Sequence, residues 1–406
     1  MSKEKKLVPK LRFKDFVKTG EWKQYNLGEI TNYVKGFAFK SQNYKDSGVR
    51  IIRASDLASD TIKDNGNKIF IDKILADSFR NYRLNKEDII ITTVGSKSEM
   101  KDSAVGRAIL IKTCNIGLLN QNLVKIDMKE KHNSSFVYSN LLQKRYSNYI
   151  ASIERGNANQ ANIAINDLWQ YKIIMANFRE QEQIGYFFKN IDKMIRLQQL
   201  KVNKVKDIKS AYLSEMFPKE GEKYPKRRFE GFTEPWTTKK LGSLLDYEQP
   251  TNYIVNSDSY DDSYLTPVLT AGKSFLLGYT NETEGIYKAD DNNGVIIFDD
   301  FTTSSHFVDF DFKVKSSAMK FLRTNQSNFN LYFLYNLLIS INYSPESHER
   351  HWISIFSEIE VLVPTKKEQQ KIAYLFKNLD NQISIEEQKL AKLEKLKQAY
   401  LNDMFV

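Results

Sequence analysis

The chain has 406 residues, 41% of them hydrophobic and 13% aromatic, enough for two or three folded domains and too apolar for a disordered protein. No apolar run reaches membrane-spanning length, and the charged start MSKEKKLVPK has no apolar stretch after it, so neither insertion nor export is indicated and a cytoplasmic location is expected. A formal charge of +10 favours a polyanionic partner, and the single cysteine, Cys114, excludes an intramolecular disulfide and a cysteine-rich metal site and is expected to be a buried or inert thiol.

The first recognisable element is PKLRF at 9–13, followed by Trp22 and LGEI at 27–30. Residues 30–176 then mix strand-like runs (48–52, 88–93 and 107–111) with loops rich in Gly, Ser, Asn and Lys. VYSNLLQKRYSNYI at 137–150 reads as a helix, and 171–175 as a short apolar strand. From 180 to 217 apolar and polar residues alternate spacings of four and three through Ile184, Phe188, Ile191, Ile195, Gln198, Val202, Val205, Lys209, Tyr212 and Met216. That is a heptad seam on a helix about 57 Å long, ended by Pro218 and Gly221.

The elements then begin again. PKRRF at 225–229, Trp236 and LGSL at 241–244 repeat the opening. A second insert, 245–364, carries GVIIFDDFTT (294–303), DFKVKSSAMKFL (311–322), a helix-like LYFLYNLLISI (331–341) and an apolar strand at 359–363. The segment 368–405 matches 180–217 at 17 of 38 positions without a gap, which is a duplication. Its seam is Ile372, Phe376, Leu379, Ile383, Glu386, Leu390, Leu393, Lys397, Tyr400 and Met404.

Two matched seams most naturally bury each other as an antiparallel coiled coil, with the polar breaks Gln198/Glu386 and Lys209/Lys397 fixing register. The PK-x-RF element follows the first long helix but precedes everything else, so the N-terminus supplies what should follow Phe405 and the two ends should lie close together. The YSNLL and LYNLL cores suggest that the inserts share one fold with diverged loops. The expected fold is α+β: two globules with mixed, curved β-sheets and short helices, separated by two long helices, with a pseudo-two-fold internal repeat. The divisions are 1–29 (repeat element), 30–176 (first globule), 177–220 (long helix), 221–244 (linker and repeat element), 245–364 (second globule) and 365–406 (long helix).

Seven stretches have the composition of DNA-contacting loops: 35–41, 92–101, 118–122, 155–162, 299–306, 313–317 and 347–352. Small residues allow close approach to a backbone, amides and Arg can address base edges, and Lys neutralises phosphate. Lys35, Lys40, Lys97, Lys101, Lys315 and Arg350 are the expected phosphate contacts; Asn120, Gln121, Asn157, Asn159, Gln160, Thr302, Thr303 and Ser317 would face bases or order the loops. Ser41, Ser96, Lys273 and Trp352 complete the candidate set. Residues 243–312 are rich in Asp and Glu, so the second insert would meet phosphate through Lys313, Lys315, Lys320, Arg323 and Arg350.

Catalytic signatures are missing. There is no Asn-Pro-Pro or Asp-Pro-Pro tetrapeptide, as an amino-methyltransferase needs, and no G-x-G-x-x-G. Ala271-Gly272-Lys273-Ser274 lacks the first glycine of a phosphate loop. His348 and His351 have no third ligand, and Asp299, Asp300, Asp309 and Asp311 lack a nuclease lysine, so loop-fixing or packing roles are expected.

The duplicated EQ-x-x-I-(G/A)-Y-(F/L)-F-K-N-(I/L)-D helix, the two unlike inserts and the repeated PK-x-RF…W…LG segments resemble the specificity subunit of Type I restriction-modification systems. The resemblance covers nearly the whole chain. It implies two target recognition domains on a coiled-coil spacer, double-stranded DNA as ligand, and a non-catalytic role beside two methyltransferase subunits and restriction/translocase subunits. S-adenosylmethionine for N6-adenine methylation, and ATP with Mg for restriction, would be held by those partners. A coiled-coil adaptor binding only proteins is the rival reading, and a self-sufficient methyltransferase or nuclease a weaker one.

Overall fold

A computed structural model describes residues 6–406 except 59, 65, 100–103, 130–131, 158–159, 220, 273, 291–292, 325, 342 and 344–350. The chain divides into two compact units, Met1–Gln198 with Lys389–Val406, and Gln199–Gln388. Each long helix, Phe178–Glu215 and Lys366–Asp403, is continuous over 38 residues and contributes to both units.

In the first unit a four-stranded antiparallel sheet runs in the order Thr31–Lys35, Leu123–Met128, Ile89–Thr92, Ala108–Leu110. The run Ile89-Ile90-Ile91 is apolar throughout because its strand is covered on both faces. Ile89 and Ile91 enter one core with Phe136 and Val137, whereas Ile90 enters another with Ile52 and Leu119. A second sheet, Ile69–Ile71, Val49–Ile52, Leu118–Leu119, contains a parallel pair, and Lys23–Asn26 pairs with Lys172–Met175 just before the long helix.

The second unit repeats these three sheets strand for strand. Asp246–Glu248, Met319–Arg323, Val295–Asp299 and Ser305–Val308 form the four-stranded sheet. Leu276–Thr280, Thr266–Leu269 and Lys313–Val314 form the three-stranded one, again with a parallel pair, and Thr237–Lys240 pairs with Glu360–Val363. The inserts therefore share one topology.

Two local readings of the sequence need correction. The stretch 137–150 is not one helix but two, Ser134–Leu141 and Lys144–Ile153, broken at Gln143, whose backbone is extended. At 100° per residue a straight helix would carry Ile150 about 120° round from Tyr138; the break returns Tyr146 and Ile150 to the core that holds Tyr138 and Leu141. The YSNLL/LYNLL match is also one residue out. Asn133 and Asn330 cap their helices by accepting from Phe136 N and Phe333 N, which sets Tyr138 opposite Tyr335.

The seam residues are all buried or half-buried: Ile184, Phe188, Ile191, Ile195, Val202, Val205, Tyr212 and Met216 on the first helix, Ile372, Phe376, Leu379, Ile383, Leu390, Leu393, Tyr400 and Met404 on the second. Pairing is antiparallel within each unit. In the first, Phe187 meets Tyr400 (ring centroids 4.9 Å apart) and Asp192 meets Lys397 at 2.7 Å. In the second, Lys209 meets Asp380 at 2.5 Å and Lys201 meets Glu386 at 2.9 Å. Lys209 and Lys397 occupy matched positions of the repeat, as do Asp192 and Asp380, so each copy gives the other the same ion pair.

Each PK-x-RF element staples a helix end. Leu11 N donates to Asp403 O and, at the matched place, Arg227 N to Glu215 O, both at 2.8 Å. Arg12 forks onto the fully buried Glu180 (2.6 and 2.7 Å), as Arg228 does onto Glu368 (2.7 and 2.8 Å). Trp22 packs against Phe405 and Leu11 N reaches Asp403 O, so the two ends of the chain do meet in the first unit.

Away from the seam, Tyr186, Leu197 and Leu396 are exposed on the helices of the first unit, and Tyr374, Ile385 and Ile208 at the equivalent positions of the second. No helix among the described residues is long and apolar enough to cross a membrane.

Candidate nucleic-acid interface

In the first unit the four loops singled out by composition lie against one another. Gly36 N donates to Leu123 O (2.9 Å) and Phe37 N to Leu119 O (3.0 Å), joining 35–41 to 118–122. The approach needs glycine, since a Cβ on Gly36 would lie 1.9 Å from Asn120 O. Thr93 N donates to Asn122 O (2.9 Å) and Thr93 O accepts from Ile163 N (3.0 Å), which ties in the two remaining loops. A small sheet of Arg155–Gly156, Ala161–Asn162 and Val94–Gly95 then sets 155–162 beside Ser96 and Lys97.

Along this rim Lys35, Lys40, Ser41, Gln121, Asn157 and Gln160 are exposed and Ser96 and Lys97 half-buried. Two amides prove to be structural. Asn120 is only 8% exposed and its backbone closes the turn onto Leu123. The Asn157 side chain accepts from Gln160 N (3.0 Å), fixing a turn whose Gly156 has φ +111°. Lys101, Asn159, Lys273 and Arg350 lie outside the described residues.

The second unit joins its loops by the same two strand ends. Asp300 O accepts from His351 N (3.0 Å), as Thr93 O accepts from Ile163 N. Ile163 and His351 are 188 residues apart, the offset that also relates the long helices, so the gapless repeat begins about 17 residues before the visible duplication. Asp299 is a loop-fixing residue: its carboxylate accepts from Phe301 N (2.8 Å) and Thr302 N (3.0 Å), holding Thr303 at φ +61°. Thr302 and Ser317 are exposed and Thr303 half-buried. Ser304 Oγ donates to Ala271 O at 3.0 Å, tethering the loop to the strand end of the neighbouring sheet.

Here several expectations fail. Trp352 is 1% exposed, packed edge-on against Phe298 at 5.3 Å, and belongs to the core. His351 is buried too, its Nδ1 2.9 Å from Asp300 O. Lys313 and Lys320, expected at phosphates, are internal. The Lys313 ammonium bonds Glu284 O (2.6 Å) and Glu282 (2.9 Å); Lys320 faces Asp300 at 3.4 Å and the Tyr247 ring at 5.4 Å. Arg323 pairs with Glu248 at 3.2 Å. Lys315 is bonded to Asp258, and that hydrogen bond raises its pKa. In the first unit Cys114 is exposed, which leaves the reading of an inert surface thiol in place of a buried one. No group of three or more His, Cys, Asp or Glu side chains that could hold a metal occurs among the described residues.

The profile of the family described as Type I restriction modification DNA specificity domain matches residues 19–207 and 233–395. Over 152 residues the chain is 45% identical to the Type I restriction enzyme EcoR124I/EcoR124II specificity subunit of Escherichia coli, a stretch that makes up 36% of this chain and 37% of that relative. It is 21% identical over 403 residues to the putative type I restriction enzyme MjaX specificity subunit of Methanocaldococcus jannaschii, covering 94% of this chain and 92% of the other. Its fold is that of the S subunit of a Type I restriction-modification system from M. genitalium, with a TM-score of 0.66 at 14% identity over 98% of this chain and 99% of that one.

Proposed function

Because the chain belongs to the Type I restriction-modification DNA specificity family, we propose that residues 30–176 and 245–364 are two target recognition domains, each reading one half of a bipartite, asymmetric DNA site. The observation that carries this reading is one topology used twice, with the same frame contacts and different rims. Like scaffolds with unlike loop chemistry suit two different half-sites; two identical rims would suit a palindrome.

The chain itself supplies recognition and leaves the chemistry to partners in the cytoplasm. Two methyltransferase subunits with S-adenosylmethionine would modify adenine N6, and restriction/translocase subunits with ATP and Mg would cleave. The matched exposed residues Tyr186/Tyr374, Leu197/Ile385 and Ile208/Leu396 support two copies of one partner, since each unit offers a tyrosine and two branched aliphatic side chains outward from the seam.

Replacing residues 30–176 alone with the corresponding domain of another specificity subunit tests the assignment. Single-molecule sequencing of DNA modified by the variant with its methyltransferase partner should show one half-site changed and the other kept. A change in both halves would refute the assignment of one domain to each.

A further inference from the structure

The two inserts share a topology and oppose each other in charge. Residues 30–176 hold 22 Lys and Arg against 14 Asp and Glu, a net +8; residues 245–364 hold 7 against 17, a net −10. The surface repeats the contrast. In the first insert Lys35, Lys40 and Lys97 lie on the rim and form no ion pair among the described residues. In the second, every described cation is engaged by a carboxylate: Lys288 by Asp311, Lys313 by Glu282, Lys315 by Asp258, Lys320 by Asp300 and Arg323 by Glu248.

Resting on the recognition reading above, we infer that the two domains divide the labour of binding: the first insert grips the phosphate backbone, and the second reads its half-site without an electrostatic grip of its own. Phosphate neutralisation releases condensed counterions and is what makes protein–DNA affinity fall with salt. A domain of net −10 whose described cations are already paired releases few counterions through them and is repelled by DNA at long range. It is delivered to its half-site as part of a chain already held by the first domain, at the high effective concentration that a covalent link provides. Its discrimination rests on short-range contacts from side chains such as Thr302 and Ser317, which are exposed and uncharged. Lys320 and Lys313, internal and paired with Asp300 and Glu282, keep their charge inside the domain.

The experiment uses the full chain assembled with its methyltransferase partner and a duplex carrying the modified site, with Kd measured from 50 to 200 mM KCl. Lys35→Gln/Lys40→Gln/Lys97→Gln should make the slope of log Kd against log[salt] shallower by about 2.7, so the variant loses about 40-fold less affinity across that window than the parent. Lys315→Gln should leave the slope unchanged. Asp258→Asn, which releases Lys315 and removes a negative charge, should steepen it by about one contact, a further loss of about threefold over the same range. An unchanged slope in the triple variant, or a flattening by Lys315→Gln equal to that of a first-insert lysine, overturns the division of labour. Failure of the parent complex to retain DNA at any salt would instead overturn the recognition reading on which it rests.

Discussion

The Arg12–Glu180 staple gives the sharpest test of how the frame is held. Glu180 is fully buried and the Arg12 side chain is 6% exposed. The carboxylate receives both arms of the guanidinium and the Trp22 indole N–H at 3.2 Å. Glu180→Gln removes the charge and leaves a guanidinium buried without a counter-ion, which costs about 3 kcal/mol. At the matched place the Arg228 side chain is 15% exposed, and the Trp236 indole has no hydrogen-bond partner among the described residues. Glu368→Gln therefore leaves a better solvated cation and disturbs a carboxylate that receives fewer side-chain donors, for a cost of about 2 kcal/mol. Hydrogen exchange resolved by peptide reads the units separately. The slowest amides of the first unit should open about 100-fold more often in Glu180→Gln, at about 1.4 kcal/mol per decade, and those of the second about 30-fold more often in Glu368→Gln. An equal or larger effect of Glu368→Gln would refute the ranking by burial and indole donation.

Two further outcomes follow from local geometry. Gly36→Ala forces a Cβ against Asn120 O and should separate 35–41 from 118–122, weakening DNA binding by at least about tenfold (about 1.4 kcal/mol of rim distortion) while the helical circular dichroism signal is kept; unchanged binding would place the DNA elsewhere. Burial lowers the pKa of His306, stacked on Phe275 at 4.0 Å, against the opposing pull of Asp299. The second unit should hold its stability above the unfolded histidine value of about 6.5 and lose some as pH falls through it, because the unfolded chain takes up the proton more readily. Urea midpoints at pH 7.5 and 5.5 should differ less in His306→Gln than in the parent.

The frame was legible because its signal is periodic and doubled: the heptads, the 17 shared positions and PK-x-RF all survive in the order of residues. The loops of the rim were legible as composition, and the backbone bonds of Thr93 and Gly36 show that those of the first unit converge. What composition could not reveal is direction. Lys313 and Lys320 look like phosphate ligands in a string of letters, but each stands on a strand buried on both faces, where it meets Glu282 and Asp300. Trp352 failed similarly, because its neighbours SHERHW are polar while its ring completes the core beside Phe298. The Ile163/His351 equivalence was hidden because it rests on main-chain bonds with no shared side chain, though the constant offset of 188 residues would have exposed it.

The crossed ion pairs carry a consequence for how such a protein can change. Asp192 of one copy meets Lys397 of the other, and Asp380 meets Lys209, so the seam is complementary to itself. None of these four side chains, nor the arginine staples, lies within 30–176 or 245–364. A module grafted between the same strand ends would meet an unaltered socket, leaving vocabulary free to drift while the grammar of assembly stays fixed.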